Sequence, residues 1–177
     1  MIKYRNLNAE EITPELFCAF KRRQEVTDCW RKENGTWVIK RAPFIDDWGK
    51  DEYEILVHCL KHTAETGGFV CGAFLNQELK GFVSVEGGLT GSCLQYMDLS
   101  SIHISQDVRG QGIGRQLFSM AKNFAKKRNA KKLYISAHSA VETQAFYRAM
   151  GCKEAEEYDQ AHVEKEPYDC QLECELL

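Results

Sequence analysis

Within Arg109-Gly110-Gln111-Gly112-Ile113-Gly114-Arg115, residue types and spacing point to chemistry more plainly than anywhere else in the chain. The segment lies between an apolar, strand-like run and an amphipathic, helical one. Glycines at alternate positions let the backbone approach a ligand closely and enter turns that other residues resist. A helix opening there presents undonated N–H groups and the positive end of its dipole, which together favour an anion. Arg109 and Arg115 add formal positive charge at the two ends. The segment reads as a cradle for phosphate groups, against the plainer reading of a glycine-rich turn that starts a helix.

Spacing narrows the kind of cradle. A Walker A loop requires Lys followed by Ser or Thr after its glycines, and neither pair occurs here. A dinucleotide fingerprint built on Gly110 and Gly112 requires a third glycine where Arg115 stands. What remains is Arg109-x-x-Gly112-x-Gly114, in which the backbone of Gly110, Gln111, Gly112, Ile113 and Gly114 lies between two arginines.

The elements that hold this loop can be read from pattern. Leu94 to Ser105 is a long strand whose apolar parity changes: Met97 and Leu99 are odd, Ile102 and Ile104 even. A period of two cannot shift by itself, so one extra residue, a β-bulge, is expected near Ser100-Ser101. After the loop, Ile113, Leu117, Met120, Ala121 and Phe124 form one helical stripe. Leu133 to Ala137 is a buried strand. Ser139-Ala140-Val141-Glu142 has the form of a capping box and opens a helix ending at Gly151. Upstream, Ile2 to Leu7 reads as a strand, and Thr13-Pro14 starts a helix carrying Leu16, Phe17 and Phe20. Asp51 and Glu54 form a second capping-box pattern before Ile55, Leu56, Cys59 and Leu60, with Gly67-Gly68 as the stop. Phe69–Leu75 and Leu79–Glu86 make a hairpin, and Gly87, Gly88 and Gly91 a loop. Arg22 to Lys50 is the least regular stretch. Cys152–Tyr158 and Asp169–Leu176 are terminal strands, joined by a polar connection from Asp159 to Tyr168.

Composition bounds the rest. The 177 residues suit one domain, 1–177, with 44% apolar and 28% charged residues, as in ordinary globular proteins. A net charge of −3 and a pI near 6.0 argue against a general nucleic-acid binder. No apolar run approaches a membrane span, and Met1 to Leu7 lacks the apolar core of a signal peptide. The eight cysteines are scattered without a C-x-x-C pair, so reduced thiols in a cytoplasmic protein are expected, with no metal site. Monomer and homodimer are both open.

The Arg109-x-x-Gly112-x-Gly114 pattern resembles the pyrophosphate loop of the GNAT N-acetyltransferase superfamily, which binds acetyl-coenzyme A. Independently, Ala145-Phe146-Tyr147-Arg148-Ala149-Met150-Gly151-Cys152 is similar to that family's A-F-Y-x-x-x-G-F helix. The resemblance is sharp from Leu94 to Cys152. It implies an α/β (α+β) fold with a central mixed, mostly antiparallel sheet, a bulged fourth strand and flanking helices. Three positions depart from the family pattern: Ala140 where Asn is frequent, Cys152 where Phe is usual, and Gln106 where Pro is common.

The resemblance also implies the reaction: an acetyl group passes from acetyl-coenzyme A to a primary amine of a small molecule or peptide, directly, within a ternary complex. Main-chain groups of Ile102, His103 and Ile104 on the bulged strand would face the coenzyme, with Phe146 beside it. Tyr147 would be the general acid for the departing sulfur, against the alternative of an ordinary half-buried tyrosine. The base is open among Asp98, His138, Glu86 and water. The acceptor pocket is expected from the irregular Arg22–Lys50 region and the Gly87–Gly91 loop, with Trp30, Trp37 and Trp48 and Asp46 and Asp47 as candidates to hold a cationic amine by ring faces and carboxylates; filling core and capping a helix is the competing account. A non-catalytic acyl-coenzyme A sensor and a transferase for longer acyl groups are the alternatives to this function.

Overall fold

Alternation along β4 (Phe69–Leu75) and β5 (Glu78–Thr90) sends Val70 and Phe82 to one face and Cys71, Val83 and Val85 to the other. Each apolar face requires a cover. On the first, α1 (Lys50–Glu65) contributes Leu56, Val57 and Leu60, and the segment before it Leu7, Ile12, Phe17 and Phe20. On the second, α2 (Ile113–Lys127) contributes Ile113, Leu117, Phe118, Ala121 and Ala125, and α3 (Val141–Ala149) contributes Tyr147. The computed structural model describes residues 1–177 and includes β1 (Lys3–Asn6), β6 (Tyr96–Ile104), β7 (Lys132–Ala137), β8 (Lys153–Glu154) and β9 (Cys170–Glu175). These strands join β4 and β5 in a seven-stranded sheet of order β1-β4-β5-β6-β7-β9-β8. Every pairing is antiparallel except β6 with β7. This is the expected mixed, mostly antiparallel sheet, and β6 is fourth across it.

The bulge is where parity places it. Ser84 pairs with Ser101 and Val85 with Leu99, so Ser100 is the extra residue of β6. Ser84 Oγ bonds the hydroxyls of both Ser100 (2.8 Å) and Ser101 (2.6 Å), which satisfies polar groups inside the sheet.

Several local expectations are corrected. Residues 22–50 are not irregular: β2 (Arg23–Glu33) and β3 (Thr36–Asp47) form a long two-stranded hairpin. Its turn is Asn34-Gly35, both at positive φ (49° and 78°), the backbone that such a two-residue hairpin turn demands. The hairpin docks on the start of α3, where Trp30 N–H donates to Ser139 O (2.8 Å). The Thr13-Pro14 helix is a single 3-10 turn, Pro14–Phe17. Gly87 and Gly88 lie within β5, which runs on to Thr90. The strand expected at Cys152–Tyr158 shrinks to β8, and the polar connection contains a short helix, α4 (Gln160–Lys165), capped by Asp159.

Neither capping box forms as expected. Helix α1 opens at Gly49, whose N–H donates to Glu52 (2.8 Å), so the Asp51–Glu54 pair lies already inside it. At α3 the N-cap is Ala140; Ser139 Oγ instead accepts from Arg31 of the hairpin (2.6 Å). At α1 the box forms two residues earlier than read; at α3 a partner distant in the chain wins the serine.

Leu117 is fully buried between α2 and the sheet. Leu117→Ala is expected to lower unfolding free energy by about 2–5 kcal/mol, the usual range for a truncated core leucine. Urea denaturation followed by circular dichroism checks it, and a loss below this range would place Leu117 outside the cooperative core.

Candidate active site

Strands β6 and β7 run parallel through only three pairs, Tyr96–Lys132, Met97–Leu133 and Asp98–Tyr134. Beyond Asp98 the bulge carries β6 away, and the two strands splay into a cleft of about 680 Å³. Leu99 to Ile104 line one wall and Ile135 to His138 the other, with the glycine loop and α3 residues Phe146 and Tyr147 closing one side. Ser105 N–H donates to Lys80 O on the β5 side (2.8 Å). Main-chain directions alternate along an antiparallel strand. Those of Ile102 and Ile104 therefore point across the splay, and those of His103 point back to β5.

Gly110 and Gly112 both sit in the left-handed region (φ +81° and +82°), and Gly112 is the N-cap of α2. None of the six amides from Gly110 to Arg115 donates to a protein acceptor. Gln111, Arg109 and Arg115 are exposed, and Arg109 Nε donates to Ile104 O (3.3 Å), tying the loop to the wall of the cleft. Ile113 turns its side chain into the core, leaving only its amide for the loop. Gly114 has a different duty: a Cβ there would meet Phe146 at 3.1 Å, so its smallness lets α2 lie against α3.

Tyr147 is buried, lines the cleft, and its hydroxyl takes no hydrogen bond from the protein. Burial holds its pKa well above the usual phenol range, so the hydroxyl keeps its proton. His138 also lines the cleft, half-buried. Its Nδ1 accepts the Ala140 N–H (3.0 Å), which fixes the neutral ring's proton on Nε2 and makes that face a donor. Burial lowers its pKa further.

The other two base candidates lie off the cleft. Asp98 faces α4, where its Oδ2 meets His162 Nε2 at 2.8 Å, while its Oδ1 is buried without a partner. Glu86 faces α1 and accepts from Thr63 Oγ1 (2.8 Å). His103 turns its side chain to the α1 face, against Trp48 and Phe82. Its Nδ1 accepts from Arg22 Nε (3.0 Å), and burial, with Arg22 and Arg109 near, drives the ring down to about 3.

The five residues named for an acceptor amine are not brought together. Trp30 lies under the Arg148 guanidinium on α3, and Trp37 Nε1 donates to Glu154 of β8 (3.2 Å). Asp47 is exposed beside Arg23. Asp46 and Trp48 do not line the cleft but hold Arg22, which does: Asp46 Oδ2 at 3.3 Å, the Trp48 ring at 5.2 Å. The wall itself is made by Arg22, Gln24, Glu25, Glu142 and Thr143. Ser136 completes it from β7, and its hydroxyl donates to Asp169 Oδ2 (3.0 Å). Sequence patterning reached Arg22, Gln24 and Glu25 only as part of the stretch 22–50 and missed Glu142, Thr143 and Ser136, while the Gly87–Gly91 loop does not line the cleft. The one available signal was Ser136, a polar residue inside the otherwise apolar run Leu133–Ala137.

All eight cysteines are free thiols, and none lines the cleft. No helix is long and apolar enough to cross a membrane.

The acetyltransferase (GNAT) family model matches residues 14–152, and the chain belongs to that family. It is therefore an acetyl-coenzyme A-dependent N-acetyltransferase. No curated protein matches it by sequence. Among solved structures it is similar in fold to nourseothricin acetyltransferase, at 16% identity, TM-score 0.71 and 99% coverage of each chain. A putative streptothricin acetyltransferase from Bacillus anthracis, solved with acetyl coenzyme A, is 14% identical with TM-score 0.70, covering 98% of this chain and 96% of that one. The PaiA N-acetyltransferase of Thermoplasma acidophilum, solved with coenzyme A, is 14% identical with TM-score 0.62, covering 99% of each chain.

The Asp98–His162 pair has a pH signature. The hydrogen bond to Asp98 raises the His162 pKa above its ordinary value, so the pair adds stability that is full below about pH 6.5 and is lost as pH rises through the raised value. The melting-temperature gap between wild type and Asp98→Asn is expected to be wider at pH 5.5 than at pH 8.5. A gap independent of pH would show that His162 carries no charge there.

Proposed function

We propose that the glycine loop binds the diphosphate of acetyl-coenzyme A and that the splayed strands present its acetyl group to a primary amine of a small molecule or peptide. The carrying observation is the row of six undonated amides from Gly110 to Arg115, at the opening of a helix and at the mouth of the cleft. Amides aimed outward at a helix N-terminus suit an anion without further charge. Arg109 and Arg115 reinforce them. Main-chain groups of Ile102 and Ile104 supply donors and acceptors along the splay, in the manner of an added strand. When bound, acetyl-coenzyme A supplies an activated acyl carbon.

Transfer is direct. No cysteine lines the cleft, and its hydroxyls are engaged: Ser100 and Ser101 with Ser84, Thr143 with Gln24, and Ser136 with Asp169 and Gln171. Holding two reactants in one cleft contributes much of the rate without a covalent enzyme species. Tyr147 keeps its proton and gives it to the departing sulfur. His138, as an Nε2–H donor, orients the acceptor or the carbonyl rather than taking a proton. The cleft volume suits a small molecule or a peptide end. Relatives of this shape named for nourseothricin and streptothricin favour the small molecule.

Two variants test the reading. Valine at position 112 would meet open space but must adopt φ near +82°, costing about 1–2 kcal/mol. Gly112→Val is therefore expected to weaken acetyl-coenzyme A binding by about tenfold in calorimetry; unchanged affinity would remove the loop from the site. Tyr147→Phe is expected to lower kcat by about a hundredfold while leaving acetyl-coenzyme A affinity intact. Equal turnover by that variant would end the acid assignment.

A further inference from the structure

We infer that Ser136 and Asp169 form the proton exit for the acceptor amine, Ser136 touching the ammonium and Asp169 receiving the proton through it. This rests on the transferase reading above and names a part of the site that none of the sequence candidates supplied. Asp98, Glu86 and His138 are each committed elsewhere: Asp98 to His162, Glu86 to Thr63, and His138 Nδ1 to the Ala140 amide.

The geometry is a directed chain of hydrogen bonds that ends at Asp169. Asp159 N–H, which can only donate, donates to Tyr134 Oη (2.9 Å). Tyr134 O–H therefore donates onward to Gln171 Oε1. With its oxygen taken, Gln171 turns its Nε2 to Ser136 Oγ (3.1 Å). Ser136 in turn donates its own hydrogen to Asp169 Oδ2 (3.0 Å). Tyr134 and Gln171 are each 2% exposed, so water cannot readily scramble the order.

The serine oxygen has one hydrogen and two lone pairs. Its hydrogen is donated to Asp169 and one lone pair accepts from Gln171. The second lone pair is free on a residue that lines the cleft. An ammonium N–H donating there completes the hydroxyl's bonding. Transfer of that proton to Ser136 Oγ, with passage of the serine proton to Asp169 Oδ2, turns ammonium into amine and carboxylate into carboxylic acid. The amine lone pair then forms the C–N bond as the C–S bond breaks. Sulfur takes the Tyr147 proton, and the phenolate recovers one from the acylated nitrogen. Asp169 releases its proton to solvent.

Asp169 is placed to serve. Burial raises its pKa above the usual carboxylate value, Ser136 opposes that rise, and Glu166 on the same loop adds to it. His138 beyond β7 and His162 on α4 face it and favour the anion. Tyr147 and Cys170, both held protonated by burial, complete its surroundings.

The experiment compares wild type, Asp169→Asn, Asp169→Glu and Ser136→Ala with acetyl-coenzyme A. The acceptors are a panel of primary alkylamines, protonated at neutral pH, and hydroxylamine, which is largely neutral there. Asp169→Asn and Ser136→Ala are expected to lose about a hundredfold in kcat/KM with alkylamines and to lose the acidic limb of the wild-type pH–rate profile. Hydroxylamine turnover should be retained, and Asp169→Glu should restore part of the alkylamine rate. Calorimetry in buffers of different ionisation enthalpy gives a second readout: proton uptake linked to alkylamine binding should change in Asp169→Asn. Equal losses with both nucleophiles, an unmoved acidic limb, or no alkylamine turned over by a protein that binds acetyl-coenzyme A would each overturn the relay. Failure to bind acetyl-coenzyme A would instead overturn the transferase reading, and the relay with it.

Discussion

The parallel contact between β6 and β7 holds for three residue pairs and then must fail, and the site depends on that failure. Strand β7 cannot be the one to yield, because all six of its residues are paired with β9 on its other edge. Strand β6 yields because Ser100 is one residue too many against β5. Strand β5 is irregular in the same place, with Glu86 to Gly88 lying between its pairings to Leu99 and Met97. Two opposed irregularities bend the middle of the sheet without breaking it. The backbone groups freed along Ile102–Ile104 would be costly in a closed interior; here they line a cleft.

That opening is useful only if the helices around it hold still. The close packing of Gly114 on Phe146 seats α2 against α3, so the glycine loop and the helix that carries Tyr147 are held side by side. Arg109 bonded to Ile104 O ties the same loop to the bent strand. Loop, strand and the helix of Tyr147 are thus tied to one another by two contacts. Positioning of this kind is what a transfer between two bound molecules requires, since misplacement by about 1 Å can cost a hundredfold in rate.

The legible parts of the sequence were those governed by neighbours in the chain. A parity switch between Leu99 and Ile102 announces a bulge because a strand's side chains alternate strictly. The loop's glycines and arginines are contiguous, and so are Phe146 and Tyr147. The hairpin was not read, although Asn34-Gly35 is a hairpin turn signal, because its strands are so exposed and charged that no apolar alternation marks them. The capping boxes failed for the opposite reason: the pattern was present, yet Ser139 is held by Arg31 from far upstream. The partner of Asp98 could not be read at all. Asp98 sits on the right strand beside the right bulge, and only the fold reveals that α4 places His162 against it.

The two sides of the splay differ in electrostatic character, and this difference follows from where each element's charge is already spent. On the α2 side, the helix opening offers six free amides and two exposed arginines to an anion. On the α1 side, Arg22 is the nearest cation, and it is drawn back by Asp46, by the Trp48 ring and by the neutral His103. A protonated His103 would set a second positive charge against the Arg22 guanidinium; its depressed pKa keeps that from happening at ordinary pH. The cation is therefore partly neutralised on that side of the cleft. Further along the same wall, Ser136 carries the pull of Asp169 into the cleft without exposing a full carboxylate there. This separation of charge supports the proposed entry of an anionic donor and a cationic acceptor from two sides of one opening.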